Sequence, residues 1–79
     1  MNTWLDDIKR ALVQLGGEAD LQEIYPVVKG YRSNLPEHSE AIMRREIEAH
    51  SSDSKVFKKG NDDLFYSADG IGNGRWGLR

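Results

Sequence analysis

Apolar side chains recur through the first fifteen residues at helical spacing. Trp4, Leu5, Ile8, Ala11, Leu12 and Leu15 form one stripe, which predicts an amphipathic helix over about Thr3–Leu15. Thr3 and Asp6 are spaced as a capping pair at its start, and Gly16-Gly17 supply the left-handed turn that ends a helix. Glu18-Ala19 is long enough only for a bridging extended pair. Asp20-Leu21-Gln22-Glu23 then reads as a second capping box. Leu21, Ile24, Tyr25 and Val28 give the second helix its apolar face, ending near Tyr31. Pro26 lies inside that pattern, removes one backbone donor and crowds the carbonyl four residues earlier, so a kink or local widening is expected. After the loop Ser33-Asn34-Leu35-Pro36, a third helix is expected from Glu37 or Ser39 to His50. Its buried stripe is Ile42, Met43, Ile47 and His50, which turns Glu37, Ala41, Arg44, Arg45 and Glu48 outward.

The last 25 or so residues change period. Ser51-Ser52-Asp53-Ser54 reads as a polar turn. Leu64-Phe65-Tyr66 and Arg75-Trp76-Gly77-Leu78-Arg79 read as strands, joined by the glycine-rich Asp69-Gly70-Ile71-Gly72-Asn73-Gly74. Three helices followed by a two-stranded wing hairpin is the order of a winged helix-turn-helix, so an α+β fold in one domain spanning 1–79 is expected. A chain of 79 residues buries only about 60% of its unfolded surface and rarely builds a deep cleft. Trp4, Phe57, Phe65, Tyr66 and Trp76 are accordingly read as core rather than as a stacking platform for bases.

Candidate chemistry is sparse. With no cysteine, and with His38 and His50 isolated from other ligands, neither a metal nor a cofactor is expected. Gly72-Asn73-Gly74-Arg75-Trp76-Gly77 matches a dinucleotide-binding spacing in letters only, because no helix follows to receive a phosphate. Asp62-Asp63 reads as a solvated turn, and the serines near His50 lack a third orienting group. The chain is expected not to be an enzyme. No apolar run approaches the roughly 20 residues of a membrane span, and no secretory leader is evident, so a cytoplasmic location without membrane contact is expected.

Charge alters this picture locally. The net charge is −2, yet residues 29–59 hold seven basic side chains against five acidic ones. Arg44 and Arg45 are spaced to pair with Glu48 on a solvated helical face. They also lie on the helix that enters the major groove in helix-turn-helix proteins, where arginine binds guanine edges or phosphates. His38, Ser39, Glu40 and Ala41 share the N-terminal half of that helix, and Lys58, Lys59, Asn73 and Arg75 would supply flanking backbone contacts. These ten residues are the expected DNA-binding set.

Several runs resemble a known family. Ala11-Leu12-Val13-Gln14-Leu15-Gly16-Gly17-Glu18-Ala19, Leu21-Gln22-Glu23-Ile24-Tyr25 and Met43-Arg44-Arg45-Glu46-Ile47-Glu48-Ala49-His50-Ser51-Ser52-Asp53-Ser54 are similar to the HARE-type winged helix-turn-helix. So are Asp63-Leu64-Phe65-Tyr66 and Gly70-Ile71-Gly72-Asn73-Gly74-Arg75-Trp76-Gly77-Leu78-Arg79. Related domains occur in the delta subunit of bacterial RNA polymerase and in Polycomb-associated proteins. The serine-rich turn and the Trp-Gly-Leu-Arg ending look closest to copies fused to bacterial endonucleases that attack modified DNA. The resemblance implies a module excised from a longer nuclease-containing bacterial protein. Its partner would be double-stranded DNA carrying 5-methylcytosine or 5-hydroxymethylcytosine. The alternative it permits is a protein-interaction winged helix in a transcription or chromatin assembly.

Overall fold

The computed structural model describes residues 3–69 and 74–79. Thr3 opens α1 (Trp4–Gln14): its hydroxyl accepts from the Asp6 N–H at 3.1 Å, while the Asp6 carboxylate accepts from the Thr3 N–H. Two donors that a helix start leaves unpaired are thereby satisfied. At the other end, Gly16 and Gly17 have φ of 95° and 97°. Their N–H groups donate back to the Val13 and Leu12 carbonyls, a Schellman closure that only a residue without Cβ adopts freely.

The glycines deliver the chain into β1 (Glu18–Asp20), which pairs antiparallel with β3 (Arg75–Leu78). On its other side β3 pairs antiparallel with β2 (Phe65–Ser67), giving the order β1-β3-β2. The sheet therefore has three strands, not the two expected. Three residues are too few to display a period of two, and Glu18–Asp20 become a strand because β3 lies alongside them. The turn expected through 70–73 falls outside the described residues.

In α2 (Leu21–Gly30) the Glu23 carboxylate accepts from the Asp20 N–H at 3.1 Å, as the capping spacing implies. The helix runs continuously through Pro26. Pro26 and Gln22 are both exposed, so the carbonyl deprived of its donor lies on the solvent side. The third helix, α3 (Ser39–Ala49), has His50 as its C-cap. The His50 ring turns back on its own helix, with Nδ1 3.0 Å from the Glu46 carbonyl. No helix among the described residues is long and apolar enough to cross a membrane.

Ile8, Ala11 and Leu12 of α1, Ile24 and Val28 of α2, and Met43 and Ile47 of α3 meet over the inner face of the sheet, where Ala19, Phe65 and Trp76 are buried. Of the aromatic residues expected in the core, Phe65 and Trp76 are buried, Trp4 packs at its edge, and Phe57 and Tyr66 are half-buried. Ile42, expected in the buried stripe, is also only half-buried. The outer face of the sheet follows from the same alternation. There Tyr66 lies across Gly77 and donates from its hydroxyl to Glu18 at 3.0 Å.

The segment between α3 and β2 is tied down by its own polar side chains. Ser51 and Ser54 are buried, and their hydroxyls accept from the Asp53 and Val56 N–H groups. Asp63 is exposed, as expected, but its carboxylate is engaged: it accepts from the Ser52 N–H at 2.9 Å, the Ser52 hydroxyl at 2.6 Å and Arg79 Nε at 3.0 Å. Those bonds, Ser52 first and Arg79 after it, hold its carboxyl below the usual carboxylate range. Along the outer edge of β2, the Phe65 N–H donates to the His50 carbonyl, Arg79 Nε donates to the Phe65 carbonyl, and the Ser67 N–H donates to Asp53.

Candidate nucleic-acid interface

Burial of Met43 and Ile47 fixes which way α3 faces. Ala41, Arg44 and Arg45 are turned to solvent as a result. The Arg44 side chain is 60% exposed, and its Nε lies 3.8 Å from Glu48 one turn on, a loose pair that constrains it weakly. Glu40 is more firmly engaged, ion-paired to Lys29 of α2.

A groove of about 590 Å³ runs along this face. The α3 residues Glu40, Ala41, Arg44, Arg45, Glu48 and Ala49 form one side. Tyr25 of α2 contributes to its lining, and Val56 and Lys58 of the loop close it. Val56 is 57% exposed, an aliphatic side chain left in water beside a trough. Burial raises the Tyr25 phenol above its ordinary value, and Glu40 and Glu48 push it further while Arg44 opposes. Arg45 and Lys58 form no ion pair among the described residues.

The groove brings together Glu40, Ala41, Arg44, Arg45 and Lys58 of the expected set. His38 is exposed at the N-cap of α3, and Lys59 is exposed beside Lys58 without lining the groove. Ser39 is 3% exposed, so its hydroxyl is beneath the surface a groove edge would touch. Asn73 lies outside the described residues. Arg75 is engaged elsewhere: its guanidinium is 2.6 Å from Glu18, 3.3 Å from Asp20 and 3.9 Å from Glu23. Hydrogen bonding to Glu18 and then Asp20 raises its pKa, and the same contact lowers that of Glu18.

Tyr25, Ala49, Val56 and the Lys29 partner of Glu40 were not legible as site residues. Only Val56 carried a signal, as a lone aliphatic residue next to Phe57 in a lysine-rich loop. A second hollow, of about 310 Å³, lies at Thr3, Trp4, Leu5, Arg32 and Glu46. There Arg32 stacks 3.9 Å over the Trp4 ring and donates to the buried Asp7 at 2.7 Å, pinning the end of α2 to the start of α1. Among the described residues no cluster of three or more histidine, aspartate or glutamate side chains is placed to hold a metal ion. Comparison with protein-family models, with curated proteins and with solved structures finds no match.

Proposed function

We propose that this chain is a winged helix-turn-helix module of the HARE type that binds duplex DNA through the outward face of α3, reading modified cytosine for a linked nuclease. The order α1-β1-α2-α3-β2-β3 and the sheet order β1-β3-β2 fit that architecture. One observation carries the reading: exposed Arg44 and Arg45 follow exposed Ala41 by about one turn, on a helix whose opposite side is core. In the major groove a cytosine 5-methyl group projects where a small apolar side chain can meet it, and a neighbouring guanine offers two acceptors to arginine. Ala41 supplies the first contact and Arg44 or Arg45 the second. Glu40, held by Lys29, is a weaker candidate for the cytosine amino group than its position in sequence implied. The domain itself contributes binding and no bond-breaking step.

One duplex prepared with plain, methylated and hydroxymethylated cytosine tests this. The modified forms should bind more tightly, and Arg44→Ala or Arg45→Ala should lose about 1–3 kcal/mol and erase the preference. Equal binding of all three duplexes would leave DNA binding standing and remove base sensing. No binding to any of them at low salt would favour the protein-interaction alternative, which the exposed Val56 beside Tyr25 suits.

A further inference from the structure

We infer that the loop 55–59, and not the strand hairpin, is the second element gripping DNA, and that one sugar–phosphate strand lies in the trough between this loop and α3. The inference rests on the DNA-binding reading and assigns the partner of that same groove. Its first support is where the hairpin's arginine has gone. Arg75 is surrounded by Glu18, Asp20 and Glu23, a neighbourhood with two more carboxylates than cations, which repels a phosphate.

The loop has the opposite character. Lys55, Lys58 and Lys59 are exposed, and the backbone that carries them is fixed. The Lys58 N–H and the Asn61 amide both donate to the Ala49 carbonyl, at 3.2 and 3.0 Å, and the Lys58 carbonyl accepts from the Asn61 N–H. The C-terminal end of a helix bears partial negative charge that disfavours a phosphate. Here two donors cover the terminal carbonyl of α3, and Lys58 adds a positive charge to the trough beside it. Within the trough Glu40 is matched by Lys29 and Glu48 by Arg44, which leaves Arg45 and Lys58 as the uncompensated charges. Val56 and Tyr25 of the same lining add carbon surface to the trough. Cations and carbon surface lining one trough complement a strand that alternates phosphate with deoxyribose.

The whole chain should be titrated with a fluorescent DNA duplex at several salt concentrations, alongside Lys58→Gln, Val56→Asp and Arg75→Gln. Each variant's melting curve verifies its fold. Lys58→Gln should weaken binding about tenfold and reduce the salt slope by about one phosphate. Val56→Asp, at an exposed position, should weaken it at least as much, while Arg75→Gln should stay within about twofold of the native chain. Native affinity in both loop variants would overturn the inference with DNA binding intact. A native chain that binds no duplex would instead remove the DNA-binding reading and this inference with it. In that case, capture of an acidic peptide that Val56→Asp abolishes would assign the trough to a protein partner.

Discussion

At the scale of single residues, Gly77 shows how one missing side chain organises a sheet face. A Cβ there would sit 2.3 Å from the Tyr66 ring, so the ring can cross β3 only because Gly77 has none. That crossing is what lets the Tyr66 hydroxyl on β2 reach Glu18 on β1, and Glu18 in turn holds Arg75. Gly77→Ala should therefore displace the ring and cost about 1–3 kcal/mol, as overpacking generally does. In a Tyr66→Ala background the same change should cost nothing, because alanine is otherwise favoured over glycine in a strand. Urea denaturation of the two single variants and the double variant measures the coupling. An equal cost in both backgrounds would show that the ring is not the obstacle.

At the scale of elements, Pro26 is the interior residue of α2 that works most against its helix. It is exposed and has no N–H to offer the Gln22 carbonyl. Pro26→Ala should raise stability by roughly 1–2 kcal/mol, part of the interior-proline penalty being offset by proline's stiffer unfolded chain. A lower melting temperature would mean that the proline ring makes packing contacts of its own. The helices were readable because their determinants are local: the Thr3 and Asp20 capping boxes, the Gly16-Gly17 stop and the apolar stripes each lie within a few residues. β1 was not, since three residues carry no period and its partner Gly77 lies far along the chain. The site divides the same way. Arg44 and Arg45 could be placed outward from helical spacing alone. That Val56 and Lys58 line one groove with them, or that Arg75 meets carboxylates 55 and 57 positions away, depends on tertiary structure. Alternation showed that Trp76 points inward and hence Arg75 outward, but not what waits for Arg75 there.

Across the whole molecule, carboxylates outnumber cations, with a net charge of −2, and among those bound into the tertiary structure Glu18 and Asp63 are held in their ionised form. Glu18 is held below the usual range by Arg75 and then Tyr66, and Asp63 by Ser52 and then Arg79. A carboxyl whose folded pKa is depressed stabilises the fold above its unfolded value, near pH 4, and that contribution is lost as pH falls through the lower folded value. Urea midpoints should thus begin to fall near pH 4 and continue to fall below it. Asp63→Asn should be less stable than the native chain at neutral pH and lose less on acidification. An unchanged acid slope in that variant would mean the Ser52–Asp63–Arg79 network contributes nothing to the transition. The outer edge of β2 has a consequence at this scale too. The outward backbone groups of Phe65 and the Ser67 N–H are already taken by His50, Arg79 and Asp53, so an incoming strand would meet a ladder largely occupied from within. Sheet growth from that side would first have to displace the His50 carbonyl and the Arg79 and Asp53 side chains of the same molecule.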